Sequence, residues 1–431
     1  MINFLYARMF ILIMDEQLLN KALALRKWFQ KYEYKGIDPF QLDEKLFKAN
    51  IPFISVIRKA VKPFHVLIPN KAFSSLPKIM YPKAIGLIIS GNCLLYNRVD
   101  VITQKEILQE NKLLFDFLKQ TKSNDFQEYC WGWPFVWGQS PRYPLNTALV
   151  CVTGPILHAL LDYYQLLDSF SGSENKSELK NNDNQNEIKK LKKELKSIMA
   201  SAIDFMLEQN KYYEGSDGIC FYYSRLDKHK AISGNIIAGA FFARYGIYFK
   251  KKEFVDFAKK CILFTLNHQE KDGSWKYIVD AGEKENKIDN RHTGYVIEAL
   301  LIIHFLFAQQ KEKQVGKKVM DNIVEKDIIK LAIDKGMQFY KRNLFEGFIP
   351  KWSVDKTFPV DCHDVAQAII TLQTAGEKEF ARQIFDFAVQ KMSNGNDEFY
   401  YKYFENGKVN NTVFFRWNQA WMYLAIVKMV D

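Results

Sequence analysis

Asn235-Ile-Ile-Ala-Gly-Ala-Phe-Phe-Ala243, Thr293-Gly-Tyr-Val-Ile-Glu-Ala-Leu-Leu301, Asp364-Val-Ala-Gln-Ala-Ile-Ile370 and Asn418-Gln-Ala-Trp-Met-Tyr-Leu-Ala425 are four stretches of one kind. Each opens on a polar residue and then runs nearly apolar around the whole helical circumference, the pattern of a helix enclosed on every side. Between them lie segments of the opposite kind. Glu253–Gln269, Lys326–Arg342 and Glu377–Met392 carry Lys and Glu on one face and Phe, Ile and Leu on the other, and read as an outer layer. The recurring unit is an amphipathic helix, a Gly/Asp turn with aromatic residues, a polar connection and an apolar second helix. Toward the N-terminus, Gln104–Gln120 with Asn146–Leu167 and Glu16–Lys31 with Pro82–Arg98 complete six pairs, a repeat of roughly 55 to 75 residues. The expected fold is all-α: an (α/α)6 toroid, or six-hairpin barrel, with short β-hairpins in the connecting loops at Gly218–Tyr223 and Glu398–Phe404. Residues 1–431 read as a single domain.

The composition agrees: 48% hydrophobic and 25% charged residues suit a globular chain with a large core. The net charge of +11 comes largely from lysine runs at Lys189–Lys196, Lys250–Lys252 and Lys311–Lys318. Most of it reads as solvated outer surface, and the excess leaves room for an anionic partner. No basic motif interleaved with aromatics points to nucleic acid. Cys93, Cys130, Cys151, Cys220, Cys261 and Cys362 are scattered, without a Cys-x-x-Cys pair. They read as reduced thiols of a cytoplasmic protein.

Three segments stand outside the repeat. Met1–Met14 is apolar but interrupted by Arg8. It falls short of the roughly 20 residues of a spanning helix and has no cleavage site for a signal peptide. Residues 1–13 read as an N-terminal extension, with Met14 as the start, or as a weak peripheral membrane anchor. Residues 168–190, rich in Ser, Asn and charge, are expected to form a mobile insertion. The linker Lys45–Leu76, with Pro52, Pro63 and Pro69, is expected to fold over one mouth of the ring.

Lys260, Phe264, Gln269, Gly273 and Trp275 resemble the QW repeat of squalene and terpenoid cyclases, which ties an outer helix to the turn that follows. The cyclase acid motif Asp-x-Asp-Asp is missing. A broader resemblance rests on Tyr34–Phe40, Cys130–Trp137, Ile288–Leu300, Pro359–Ile370 and Arg416–Trp421. These are similar to bacterial prenyltransferase-like or squalene-oxidase-like α/α-toroid proteins associated with surface-polysaccharide biosynthesis. The resemblance implies the fold and a carbohydrate context, and carries no activity.

In such a ring the N-termini of the inner helices gather at one end, where unpaired N–H groups favour anionic ligands. Asp289-Asn290-Arg291-His292-Thr293 and Asp361-Cys362-His363-Asp364 fall there, with Gln367 one turn after His363. Arg416, Trp417 and Gln419 open the last inner helix, and Asn146 and Asn235 take the corresponding places in earlier units. His292 and His363, with Asp289 and Asp361, form the leading acid/base set, of the kind that sugar hydrolysis, β-elimination and epimerisation require. The structural alternative is that Asp289, Thr293, Asp361 and Asp364 cap helices and the histidines sit in the wall. His292, His363 and Asp361 are ligand types for zinc, but no His-x-x-x-His or Cys-x-x-Cys spacing supports a metal, and no cofactor is implied. Trp131, Trp133 and Trp137, with Trp275, Trp352 and Trp417, either stack on sugar faces or pack the rim. Arg142, Arg291, Lys351 and Arg416 would complement a carboxylate or phosphate.

The leading functional expectation is a carbohydrate-active hydrolase, lyase or epimerase acting on an anionic or lipid-linked glycan. A non-catalytic glycan-binding or scaffold protein of polysaccharide assembly keeps the cleft and uses the histidines structurally. An isoprenoid-handling enzyme is the third reading. A polar cleft favours glycan; a deep apolar one favours isoprenoid.

Overall fold

The computed structural model describes residues 2–41, 73, 75–138, 142–170, 182–282, 286, 288–313, 320–395 and 397–430. Among these, twelve α-helices alternate between two layers. The inner layer is α2 (Pro82–Leu95), α4 (Val150–Ser169), α6 (Ile232–Tyr248), α8 (Asn290–Lys313), α10 (Cys362–Thr374) and α12 (Trp421–Met429, after a π-helical turn Phe415–Ala420). Each packs on the next, and α12 packs back on α2, so the contacts close into a cycle. Behind them lie α1 (Ile2–Lys31), α3 (Val101–Gln120), α5 (Asn182–Asp204), α7 (Lys252–Asn267), α9 (Met320–Asn343) and α11 (Lys378–Lys391).

Burial follows the sequence pattern. Every residue of α10 from Cys362 to Leu372 is buried, whereas α7 buries only Ala258, Cys261, Ile262, Phe264 and Thr265. By length and hydropathy Asn290–Gln310 would suffice to cross a membrane, but it belongs to α8, flanked by α6 and α10.

The pairing differs from the expected order. Each outer helix packs mainly on the inner helix that precedes it, and α1, which has no predecessor, packs on α12. Connection length is the reason. Only residues 249–251 separate α6 from α7 and only 375–377 separate α10 from α11, which forces antiparallel packing. The outer-to-inner connections are long and carry the β-structure. β1 (Tyr212–Gly215) pairs with β2 (Gly218–Phe221) and β3 (Phe345–Glu346) with β4 (Ile349–Pro350). β5 (Val360–Asp361), β6 (Lys402–Tyr403) and β7 (Val409–Asn410) form a three-stranded sheet.

Residues 168–190 are not a single insertion. Helix α4 continues to Ser169 and α5 begins at Asn182; residues 171–181 lie outside the described residues. The charged run is helical because Leu195 is buried with Ile188 and Leu191 packed on the core, while its polar face makes ion pairs. Lys192 pairs with Asp168, Glu187 with Lys112, and Glu194 with Lys119 at 2.7 Å. The backbone of α1 is helical from Ile2, while the side chains of residues 2–15 lie outside the description. Most of the Lys45–Leu76 linker does too, but its end is placed: Phe73 and Leu76 pack with Tyr401, Phe414 and Trp417.

The seam between α2 and α12 closes the ring. Gly91 lets the two helices approach: a Cβ there would lie 2.5 Å from Tyr423 Cε1. Tyr423 Oη donates to Asn92 Oδ1 at 2.6 Å, and Phe29 of α1 packs edge-on against the same ring at 5.5 Å. Gly91→Ala is expected to lower the unfolding free energy by about 1–3 kcal/mol through overpacking. Gly234→Ala is the control, because nothing lies within 4 Å of the added Cβ, and should be neutral or stabilising by about 0.5–1 kcal/mol. Urea unfolding of both variants checks the pair of outcomes.

Candidate active site

The long connections deliver their residues to the N-terminal ends of the inner helices. β5 ends at Asp361, which caps α10: its Oδ1 accepts the His363 N–H at 2.9 Å and the Trp417 Nε1–H at 2.8 Å. One carboxylate thus fixes both the start of α10 and the π-helical turn before α12. Its second oxygen faces Lys402 Nζ at 3.6 Å and Arg291 Nη1 at 4.0 Å. Asp361 is fully buried, and the bonds it makes here organise the wall.

The two histidines stand in different environments around one tyrosine. His363 Nε2 lies 2.6 Å from Tyr295 Oη, with its ring stacked on Trp421 at 4.6 Å and edge-on to Trp417 at 4.6 Å. Burial first, then the charges of Arg291, Lys83 and Arg416, push its pKa well below the ordinary histidine value, so the ring is neutral at physiological pH. His292 is partly exposed, and its Nδ1 lies 2.7 Å from Asp289 Oδ2. The Asp289 carboxylate also accepts the His292 backbone N–H at 2.9 Å, capping α8. Burial alone would raise the pKa of Asp289; the hydrogen bonds and charge of His292, with Arg291, outweigh it and hold the group at about 2. Asp289 is therefore ionised and orients His292 with Nε2 toward open space, the geometry of a histidine readied for proton transfer. The Tyr295 ring lies 6.0 Å from His292 and 6.1 Å from His363. Its pKa is raised well above normal, mainly by burial, so it is a neutral phenol.

Beyond His292 the wall continues through residues that sequence reading passed over. The Tyr277 ring packs tilted against His292 at 4.1 Å, and Cys151 Sγ lies 3.0 Å from Tyr223 Oη. Burial raises the Cys151 pKa, so this is a thiol. Cys151, Tyr223, Tyr277 and His292 are all partly water-accessible although all four belong to inner helices or their entry loops. Below this rim the lumen is charged. Arg244 pairs with Asp162 and lies 3.0 Å from His158 Nδ1, and Glu298 meets Lys428 at 2.8 Å and Gln367 Nε2 at 2.9 Å.

The other expected binding residues divide. Trp133 and Trp417 flank Arg416, whose guanidinium is 4.4 and 5.1 Å from their rings. Arg416 Nε lies 2.6 Å from Asp38 Oδ2, and Arg291 Nη1 lies 3.3 Å from Asp364 Oδ1. Neither approach has the angle of a hydrogen bond, so both are charge contacts. Burial, with Asp361 and Asp289, raises the Asp364 pKa against the pull of Arg291. Trp137 stacks on Tyr143 at 5.3 Å near Tyr223. Gln367 is fully buried, bonded to Glu298 and Thr371.

Five expected binding residues make structural hydrogen bonds. Trp131 is fully buried, and its Nε1 donates to Leu118 O at the end of α3. Trp275 does the same to Thr265 O of α7, which is the physical content of the QW-like pattern. Asn235 bonds Ile219 O and the Phe221 N–H, fastening β2 to α6. Gln419 binds Asp397 O and the Phe399 N–H, and Asn146 takes a left-handed turn with φ of 59° and bonds Lys122 O. These side chains satisfy backbone groups that burial would otherwise leave unpaired. Arg142 is exposed on the loop before Tyr143. Among the described residues, no group of three His, Cys, Asp or Glu side chains could hold a metal ion.

Because the folded value of about 2 for Asp289 lies below its ordinary 3.8, its interactions stabilise the fold fully above the ordinary value. They are lost as pH falls toward 2. Asp289→Asn should remove about 2 kcal/mol of stability at neutral pH and flatten the acid limb of the melting-temperature profile between pH of about 4 and 2. Thermal melts of both proteins across that range check the outcome; an unchanged acid limb would show that Asp289 carries no such interaction.

No family model and no curated protein matches the chain. Solved structures do. A sugar epimerase from a ruminal bacterium aligns with a TM-score of 0.55 and 12% identity over 81% of this chain and 87% of its own. Cellobiose 2-epimerase from Spirochaeta thermophila gives 0.53 and 11% over 81% and 84%. An unsaturated glucuronyl hydrolase specific for heparin gives 0.55 and 13% over 96% of both chains. At these identities the likeness establishes the fold: a mostly helical chain with α/α-toroid neighbours.

Proposed function

We propose that this chain is a six-hairpin toroid enzyme that moves protons on a glycan, as a hydrolase, lyase or epimerase. We further propose that its substrate is an anionic or lipid-linked sugar of polysaccharide assembly in the cytoplasm. One observation carries the reading. Two histidines on neighbouring inner helices meet around Tyr295 in opposite electrostatic settings, one held against an ionised aspartate and the other kept neutral by burial and cations. Pairs of titratable groups driven apart by their surroundings are how acid and base roles are divided at one pH. His292, freed at Nε2, would take or give the proton; Tyr295, hydrogen-bonded to His363, would supply a neutral donor opposite it.

The solved structures with this fold include epimerases and hydrolases of sugars by name, which supports a glycan substrate. The charged lumen of Asp162, Arg244, Glu298 and Lys428 supports the same choice over an isoprenoid, whose apolar chain would strand those groups without solvent. A non-catalytic glycan-binding role is favoured by one feature: His363 is only 3% exposed, enclosed between Trp417 and Trp421.

Incubation with neutral and acidic disaccharides in D2O, followed by NMR, tests both readings. Solvent deuterium entering a C–H position identifies epimerisation, a new vinyl C–H signal together with a new reducing end identifies elimination, and new reducing ends without unsaturation identify hydrolysis. His292→Ala is expected to lower turnover by about 10²–10⁴-fold, with melting temperature retained. Binding of sugars without turnover by the wild type, unchanged in His292→Ala, would assign the cleft to binding alone.

A further inference from the structure

The cations that the sequence offers to an acidic ligand are already matched. Arg291 faces Asp364 and Asp361, Lys402 faces Asp361, and Arg416 faces Asp38. One cation on the same wall is not. Lys83, in the first turn of α2, is 7% exposed, and among the described residues no carboxylate lies within ion-pair distance of its Nζ.

Its neighbours are aromatic faces. Nζ lies 5.4 Å from the Trp421 ring centroid, 5.8 Å from Trp133 and 5.8 Å from Tyr295. Such contacts are individually weak, whereas withdrawing an ammonium from water is costly when no counter-charge replaces it. Burial lowers the Lys83 pKa to about 8, with the nearby Cys151 opposing the shift and Arg416 adding to it. The group thus keeps its proton at neutral pH in a place that disfavours the charge. A bound anion would relieve that conflict.

Resting on the glycan reading of the cleft, we propose that Lys83 recognises the carboxylate of an acidic sugar, with Trp133, Tyr295 and Trp421 as the walls of the subsite. A single uncompensated positive charge matches a monoanion; a phosphate monoester would bring about two negative charges. The position fits the proposed chemistry, because two of the three walls touch His363. Tyr295 bonds His363, and Trp421 stacks on it. An acidic group anchored at Lys83 would set the rest of its sugar ring beside the two histidines.

The test uses the full chain, with D-glucuronate and D-glucose titrated by calorimetry and acetate followed through the Lys83 Nζ NMR signal. Wild type should bind glucuronate at least about tenfold more tightly than glucose, a difference that one matched charge can supply. Lys83→Met should make the two sugars equal while the melting temperature stays the same or rises, since the unpaired charge is gone; Lys83→Gln repeats the measurement if methionine disturbs the packing. Lys83→Arg should restore the preference. A wild type without preference, or a preference that survives both neutral variants, overturns the assignment and leaves the glycan reading standing. An acetate response at Lys83 with neither sugar bound would sink the glycan reading and keep the anion subsite. No response to any of the three probes overturns both.

Discussion

Closure of the inner ring is the constraint on which the rest of the molecule depends. Tyr423 and Asn92 are 331 residues apart in sequence, and the contact between them joins the last inner helix to the first. With the cycle shut, each inner helix has an inner neighbour on either flank and an outer helix behind it. The lumen then remains as the place for charged side chains, while neutral amides such as Asn92 and Asn235 bond within the seams. That is why α6 and α12 look apolar around their whole circumference, and why the charges that do occur on inner helices, such as Asp162, Arg244 and Glu298, pair with one another across the lumen. A charge on any other face would be buried without water or partner.

Closure also fixes where chemistry can occur. Turns of three residues join α6 to α7 and α10 to α11, leaving no room for functional loops at that end. The connections that return from outer to inner helices are long, and they enter at the N-termini of the inner helices. There they must satisfy the first N–H groups of each helix. Asp289 and Asp361 do so, and the same carboxylates hold His292 and Trp417 in place. Helix capping and site construction are here one set of bonds. The two readings of these aspartates, as caps or as part of an acid/base set, are therefore not exclusive.

The periodic elements were legible because their pattern reflects burial, which a helix records every turn. The apolar runs from Asn235, Thr293, Asp364 and Asn418 are inner helices, and the Lys/Glu-faced runs are outer ones. Pairing was not legible, since it depends on connection length and not on helix composition. Residues 182–190 were misread for a related reason: their polar composition resembles a loop, and only Ile188, Leu191 and Leu195 at helical spacing mark the buried face. In the site, the Asp-x-x-His and Asp-x-His clusters were visible as sequence. Asn235, Gln419 and Asn146 were placed with them by position alone, and position does not say whether an amide faces the lumen or the returning loop. Lys83 and Tyr295 went unnoticed inside apolar stretches, although a single lysine in Pro82-Lys-Ala-Ile-Gly-Leu-Ile-Ile89 is the kind of interruption that a buried helix does not tolerate without cause.

The electrostatic layout of the wall then has a direction. Three cations, Arg291, Lys402 and Arg416, face Asp38, Asp361 and Asp364, with the pKa of Asp364 itself raised by burial, and Lys83 adds a fourth positive charge without a carboxylate partner among the described residues. This side of the cleft is positive, and it is the side that keeps His363 neutral. Next to Arg291, Asp289 supplies a negative charge held against His292. A substrate spanning the cleft would meet fixed positive charge at one end and a carboxylate-backed histidine at the other. An anionic group has only the first end to bind to, because at the second it would face Asp289. The orientation of an acidic sugar would thus be set before any contact with its hydroxyl groups, with its neutral portion directed toward His292 and Tyr295, where the proton transfer is proposed.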